Sequence, residues 1–364
     1  MDFLIHFSEL EDPRASNNTK VYSLELLVFI AISGVISGFD TWTELAFFAE
    51  ERRDWISKFV AVPDRMPSHD TLGNFFRRLD GKQFARCFAQ WASAVTGHQI
   101  DDLIVLDGKT LRGSQDRCVG KKALHVINAW AGHSRIVLAQ HAVEGKENEI
   151  TAVPDLLNML ELKGALVSMD AMGCQTAIAA QIVGKKADYL LAVKANQPEL
   201  LEELQTTFPM AKSAQMHERT EKDHGRIEQR VCTVMPCEDE RIKKLWKNAA
   251  CYIRMDHTRE VVSEKKKSKE VLYFISSRMM TPKEASENVR LRWTIENNLH
   301  WTLDVTFNED KSRIRKDNAD FNMAIIRKIA LNMLRKEPTP KQSLNIKRKR
   351  AGISDSFREA ALKI

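Results

Sequence analysis

The chain has 364 residues, 43% of them hydrophobic and 29% charged, with 15 Gly and 10 Pro; this excludes a disordered or collagenous chain, and the length exceeds the roughly 250 to 300 residues at which a single core stops growing. The net charge of +6 is unevenly spread: residues 1–100 carry 10 Lys and Arg against 13 Asp and Glu, net −3, residues 101–300 carry 30 against 28, net +2, and residues 301–364 carry 15 against 8, net +7. The six cysteines include no C-x-x-C pair, the nearest two (Cys232 and Cys237) having four residues between them, which argues against a zinc ribbon or disulfide framework and for a reducing compartment.

The amino terminus, MDFLIHFSELEDPR, has acidic residues where a signal peptide carries basic ones, so a cytoplasmic location is expected. The most apolar stretch, residues 24–39, is interrupted by Glu25, Ser33, Gly34 and Ser37. It falls short of the roughly 20 residues of a membrane span and predicts a buried helix over 24–36, with no membrane contact. Further helices are expected over 41–59 and 75–95, the latter offering Phe76, Leu79, Phe84, Phe88 and Trp91 to a core. Pro67-Ser68-His69-Asp70-Thr71 reads as a helix start with a Ser or Asp cap, which leaves His69 no catalytic role. Residues 1–98 are thus expected to form a helical domain.

From residue 99 the pattern changes to short apolar or β-branched runs at 103–106, 124–130, 136–143, 165–169 and 189–193, punctuated by Gly108, Gly132 and Gly145, with helical patterns at 149–162, 175–183 and 198–207. Three strands followed by helix, strand, helix and strand predict a mixed α/β sheet flanked by helices. Residues 208–270 are polar, with strand patterns at 226–235 and 249–255 and a charged run at 264–269, and read as a β-rich insertion. The run 271–275 (VLYFI) is a strand, and Thr281-Pro282 opens a helix that continues to about residue 303. The second unit is expected to span 99–335, leaving 336–364 as a basic tail. Its cluster Lys347-Arg348-Lys349-Arg350 suits equally a solvated tail and the counterion-releasing contacts of nucleic-acid binding.

Two aspartates end apolar runs: Asp107 after LIVL and Asp170 after LVSM. In α/β sheets ligands bind where strand ends face a crevice. Either Asp alone is an ordinary turn or cap residue; together they shift the balance towards a shared site. Mg²⁺ takes hard oxygen ligands, and two such ions roughly 3.5 to 4 Å apart activate an attacking oxygen and stabilise a leaving one. A third carboxylate is then needed. Residues 292–304 (RWTIENNLHWTLD) offer Glu296 and Asp304, with Glu309 and Asp310 just beyond. On a helix Glu296 and His300 share a face at i, i+4, whereas Glu296 and Asp304 lie roughly 12 Å apart along the axis and do not suit one ion. Spacing does not choose among the four.

Asp107-Gly108-Lys109-Thr110-Leu111-Arg112, Asp170-Ala171-Met172-Gly173-Cys174-Gln175 and Trp293-x-Ile295-Glu296-Asn297-x-Leu299-His300-Trp301-x-Leu303-Asp304-Val305 together closely resemble bacterial insertion-sequence DDE transposases of the H-repeat-associated type. Asp12-Pro13-Arg14, the Pro67 to Thr71 segment, Ala192-Val193-Lys194-x-Asn196-Gln197, His224-Gly225-Arg226 and Asn308-Glu309-Asp310 extend the resemblance over nearly the whole chain. It implies a ribonuclease-H-like core in which Asp107, Asp170 and Glu296 hold two Mg²⁺ ions, with Mn²⁺ as a substitute. The implied reaction hydrolyses a phosphodiester and then directs the freed 3′-hydroxyl onto target DNA. The implied partners are double-stranded DNA, both the element's terminal inverted repeats and the target, and a second copy of the chain in a homodimer on paired ends, at the nucleoid. Related cut-and-paste enzymes carry a Tyr, Arg, Glu and Lys series whose places here hold Val289, Arg292, Glu296 and Leu303. The Tyr and Lys are absent, so no phosphate contact of that Lys carries over.

Lys109, Arg112 and Lys194 are candidates for phosphate contacts and equally for solvated turns; Arg292 joins them through its place in that series. His300 either meets the leaving strand or completes the helix surface. Trp293 and Trp301 either stack on an unpaired base or pack in the core, the commoner fate of a helical tryptophan. Two other functions compete with transposition: a non-mobile nuclease on the same core, which cuts without joining, and a DNA-binding regulator with a vestigial site, against which the three intact acidic positions weigh.

Overall fold

The structure, a computed structural model, describes residues 2–14, 20–97, 102–143, 148–210, 214–223, 225–261, 263 and 266–363. The expected boundary at residue 98, the turn at Gly145, His224 of the His-Gly-Arg motif and the start of the charged run at Glu264 lie outside the described residues.

The amino-terminal part is helical, as its apolar periodicity predicts: α1 (Leu24–Ile36), α2 (Trp42–Glu51), α3 (Arg53–Ile56), α4 (His69–Arg78) and α5 (Gly81–Thr96). Helix α1 is buried from Leu26 through Ile36, the fate of a helix without a polar stripe, and no described helix is long and apolar enough to cross a membrane. Ser68 caps α4 by accepting from the Thr71 N–H at 3.2 Å. The single helix expected over 75–95 is divided, because Leu79 leaves the helical conformation and Asp80 caps a new helix through the Gln83 N–H at 2.9 Å.

A nine-stranded sheet follows, made of β1 (Leu103–Leu111), β2 (Leu124–Ala131), β3 (Ile136–Val143), β4 (Leu166–Met169), β5 (Asp188–Val193), β6 (Gln215–Asp223), β7 (Arg226–Pro236), β8 (Cys251–Val261) and β9 (Lys266–Ser276). Its order is β3-β2-β1-β4-β5-β9-β8-β7-β6. Strand β1 pairs antiparallel with β2 and parallel with β4, which pairs parallel with β5; this is the ribonuclease-H-like arrangement. The remaining helices are α6 (Glu149–Asn158), α7 (Thr176–Gly184), α8 (Pro198–Met210), α9 (Glu240–Leu245), α10 (Pro282–Arg292), α11 (Trp301–Val305), α12 (Ala319–Lys336), α13 (Leu344–Ile353) and α14 (Asp355–Leu362). Alternation along β1 sends Ile104 and Leu106 to a core with α6 and α7, and Leu103 and Val105 to a second core shared with the amino-terminal helices and α12.

The expected insertion does not stand apart from this sheet. Strands β6 to β8 continue it beyond β9, which is antiparallel to β5. Strand β6 (QMHERTEKD) lies at the open edge and is largely exposed, which is why it carries no apolar alternation to read. Residues 336–364 are also corrected: instead of a tail they form α13 and α14, whose Ala351, Phe357, Ala361 and Leu362 join the core.

Candidate catalytic site

Strand β1 does not end at Asp107 as its sequence suggests. It runs on to Leu111 against β2, with Asp107 opposite Asn128. What ends is the parallel pairing with β4, at Leu106 and Met169, so Asp107, still within β1, and Asp170, just past the end of β4, stand at the same level of the sheet. Gly108 is therefore a strand residue and not a turn. A Cβ at that position would lie 2.1 Å from Glu149 Oε1 and 2.7 Å from His125 Nε2, so only glycine lets the α6 side chain approach the strand. Asp170 Oδ1 accepts from the Met172 and Gly173 N–H groups at 3.1 and 3.4 Å; the capping role and the site role coexist in one residue.

The helix expected over 282–303 is interrupted. Helix α10 ends at Arg292, residues Ile295–His300 form a π-helical turn, and α11 continues; such widened turns recur at functional sites. The turn brings Glu296 to a small cleft shared with Asp107, Asp170, Arg292 and Trp293. The other three candidates are engaged elsewhere. Asp304 accepts from Lys109 Nζ at 2.6 and 2.7 Å. Glu309 is buried between Lys109 and Lys328, 3.9 Å from each. Asp310 accepts from the Arg112 backbone N–H at 3.2 Å.

Burial, then the charges of Glu296, Glu149 and Asp170, push Asp107 up to about 7, with Arg292 opposing them. His300 Nδ1 is 3.6 Å from Asp107 Oδ2. Burial and the nearby Lys109 and Lys328 hold His300 down to about 3, so it meets Asp107 as a neutral ring. Three hard carboxylates opposed by one guanidinium have the donor chemistry of a divalent-cation site. As they stand, no three His, Cys, Asp or Glu side chains among the described residues are close enough together to hold an ion; donor type and charge fit, and the ligands remain to be drawn together.

The transposase DDE domain matches residues 98–333, and a domain described as DDE_Tnp_1-associated matches residues 4–92. The chain belongs to the DDE transposase family. It is 37% identical to the "Putative transposase YncI" of Escherichia coli O157:H7 over 99% of this chain and 94% of that protein. With the "H repeat-associated putative transposase YhhI" of Escherichia coli strain K12 it shares 34% identity over 98% and 96%. A piggyBac transposase synaptic complex with hairpin DNA aligns with 96% of this chain and 76% of that one at a TM-score of 0.48 and 13% identity. Membership in the DDE transposase family makes the chain a nucleic-acid-processing enzyme.

The other residues singled out in this DDE family member divide into three groups. Lys194 is exposed just past β5, beside the Asp170 turn, because Asn196 Nδ2 donates to the Ala171 carbonyl at 2.6 Å. Arg112 is 84% exposed, 3.7 Å from Asp310. Trp293 and Trp301 are 44% and 59% exposed, against the core packing expected of them. A second group turns inward: Arg292 sits over the Phe274 ring at 5.9 Å, and His300 lies against Asp107 instead of completing the outer surface. The third group is corrected. Lys109, 7% exposed, is committed to Asp304. Lys347 donates to the Leu334 carbonyl at 3.1 Å and pairs with Glu337 at 3.0 Å. Arg348 donates to the Val35 carbonyl at 3.0 Å and binds Asp40. These three cations are buried and paired inside the protein, not on a solvated surface as expected. Lys349 is exposed, and Arg350 stacks on Phe357 at 4.5 Å.

Glu149 and His125 were not legible as site residues. His125 Nε2 donates to Glu149 Oε1 at 2.7 Å, and its Nδ1 bonds the Thr110 hydroxyl at 2.8 Å. In the sequence Glu149 is only an acidic residue in the first turn of a helix capped by Asn148; the glycine following Asp107 was the available signal, and it read as a turn.

Proposed function

We propose that the chain is the transposase of an insertion sequence, acting in the cytoplasm at the nucleoid on double-stranded DNA as a homodimer that pairs the two terminal inverted repeats. A water oxygen bonds to the phosphorus at the element end, the bond from phosphorus to the 3′-oxygen breaks, and that oxygen takes up a proton. In the second step the oxygen of that 3′-hydroxyl bonds to a target phosphorus, the bond from that phosphorus to the target 3′-oxygen breaks, and the proton given up by the attacking hydroxyl passes to the displaced oxygen. The observation carrying this reading is that Asp107, Asp170 and Glu296, from three separate elements, line one cleft.

Those three carboxylates would hold two Mg²⁺ ions, or Mn²⁺ in their place, and bound metal supplies a nucleophilic water at neutral pH and charge stabilisation for the leaving oxygen. His300 orients Asp107, and Arg292 balances negative charge in the cleft and meets the scissile phosphate. Trp293 gives an exposed aromatic face at the cleft and Trp301 a second one eight residues on, and an unpaired base gains about 1 to 3 kcal/mol by stacking on such a face. Lys194 and Arg112 contact flanking phosphates.

The test is cleavage of a plasmid carrying the element's own ends, with Mg²⁺ or EDTA, by wild type, Asp107→Asn, Asp170→Asn, Glu296→Gln and Asp304→Asn. Metal-dependent cutting and joining, abolished by the first three changes and retained in Asp304→Asn, is the expected result. Cutting without joining indicates a nuclease; end binding without cutting, unchanged in every variant, indicates a regulator. Loss only in Asp304→Asn overturns the choice of Glu296.

A further inference from the structure

With Lys347 and Arg348 buried, only part of the carboxy-terminal cluster adds exposed charge to the net +7 of residues 301–364. Four cations fall within residues 311–316 (KSRIRK), between the last acidic motif and α12. Lys311, Arg313 and Lys316 are exposed, and their side chains have no hydrogen-bond or ion-pair partner among the described residues. Arg117, at the tip of the neighbouring turn closed by the Asp116 to Lys121 bridge, is likewise exposed and unpaired. Arg112 projects beside them.

This segment is a fixed ridge. On one side Arg315 Nε donates to the Gly113 carbonyl at 3.0 Å, and Lys121 bonds the Arg315 carbonyl and, at 2.7 Å, Asp320. A Cβ on Gly113 would lie 2.2 Å from the Ser312 carbonyl oxygen and 2.6 Å from that of Asp310, so glycine is what allows the two backbones to touch. On the other side Asn318 N–H donates to the Arg77 carbonyl at 3.2 Å, and Arg77 pairs with Asp317 at 3.3 Å. The flanking acids are paired, Asp310 with Arg112 and Asp317 with Arg77, while three of the segment's cations face solvent unpaired. Between the ridge and α4 runs a groove of about 750 Å³ that reaches Trp42, His69 and Asn74, so both family domains contribute to it.

We propose that this ridge and groove, and not the carboxy-terminal cluster, hold the backbone of the DNA duplex next to the catalytic cleft. The inference rests on the transposase reading and specifies which surface it uses. Unpaired cations on a rigid support are what release condensed counterions from a polyphosphate. Distance agrees as well: Leu111, the last residue of β1, stands four residues beyond Asp107, about 13 Å at 3.3 to 3.4 Å per residue, which is about four base-pair steps at 3.4 Å each, and Arg112 follows it in a short 3-10 turn. A duplex on the ridge therefore puts a phosphodiester at the cleft within half a helical turn.

The experiment measures dissociation constants of full-length protein for a duplex carrying the element end and for an unrelated duplex of equal length, from about 50 to 200 mM KCl. Wild type is compared with the triple variant Lys311→Gln, Arg313→Gln, Lys316→Gln and with Lys349→Gln, Arg350→Gln. All these side chains are exposed except Arg350, which is half-buried over Phe357, and an unchanged thermal midpoint checks that each variant folds. Loss of three phosphate contacts lowers the slope of log Kd against log salt by about 2 to 3 and weakens binding to both duplexes roughly 10- to 100-fold at 150 mM. The carboxy-terminal pair is expected to match wild type. An unchanged slope in the triple variant, or a drop only in the carboxy-terminal pair, overturns the assignment. Wild type that neither binds nor cuts either DNA overturns the transposase reading itself, whereas wild type that does both beside an unaffected triple variant overturns only the ridge.

Discussion

Lys109 Nζ lies 2.6 and 2.7 Å from the two carboxylate oxygens of Asp304, so two motif residues 195 apart in sequence neutralise each other behind the cleft. Glu309 and Lys328 continue the cluster at 3.9 Å. Removing one member of a buried charge set strands the others, at a cost of about 3 to 5 kcal/mol. Lys109→Met is therefore expected to lose about that much stability in urea unfolding. Asp304→Asn, one-third exposed and still able to accept from Lys109, is expected to lose about 1 to 2 kcal/mol and to keep cutting DNA. Equal stability of wild type and Lys109→Met would show the pair to be inconsequential.

Asp107 makes metal-free stability fall with pH. Its carboxyl stands at about 7 in the fold against 3.8 ordinarily, so between about pH 4 and 7 the folded state keeps a proton that the unfolded state has released. Stability is full below that window and declines through it, by up to about 4 kcal/mol at 1.4 kcal/mol per unit. In EDTA, Asp107→Asn is expected to flatten this decline and to raise the thermal midpoint at pH 8 above that of wild type. A decline of the same size in the variant would assign it to other groups.

Glu149 is coupled to Asp107 through the space left by Gly108. In Gly108→Ala the new methyl displaces the Glu149 carboxylate, the far end of a flexible chain, and breaks its 2.7 Å bond to His125; the expected cost is about 1 to 3 kcal/mol. Glu149→Gln removes the charge without the crowding. Both changes lower the Asp107 pKa, read from the pH at which metal-free stability declines. A midpoint that stays at the wild-type value in both would remove Glu149 from the site.

Much of the fold was readable because its apolar patterns are local. The runs 103–106, 165–169 and 189–193 are strands by composition, and strands stand there; their order with α6 and α7 yields the sheet. What escaped depends on distant partners. Gly108 reads as a turn unless Glu149 is known to lie against it, and the π turn around Glu296 leaves no mark in a pattern with helical spacing. Trp293 and Trp301 have the spacing of core residues and are exposed, Trp293 at the cleft itself. Arg348 looks solvated beside Lys349 because Asp40 and Val35, its partners, are some 300 positions away.

That last contrast is measurable. Arg348→Ala leaves Asp40 and the Val35 carbonyl without their donor and is expected to cost about 3 kcal/mol or more. Lys349→Ala, one position on and exposed, is expected within about 0.5 kcal/mol of wild type. Urea midpoints of the two variants decide it, and similar midpoints would restore the tail reading.

Helix α12 packs against α1, α4 and α5, and it begins at residue 319, while α1 begins at residue 24. A ribosome adding about 5 to 20 residues per second needs roughly 15 to 60 s to cover that interval. Throughout it the most apolar helix of the chain is already outside the ribosome without the surface that will cover it. The yield of active protein is thereby tied to the pace of synthesis and to chaperone supply, and a message cut short before α12 delivers a sticky fragment instead of a smaller working domain.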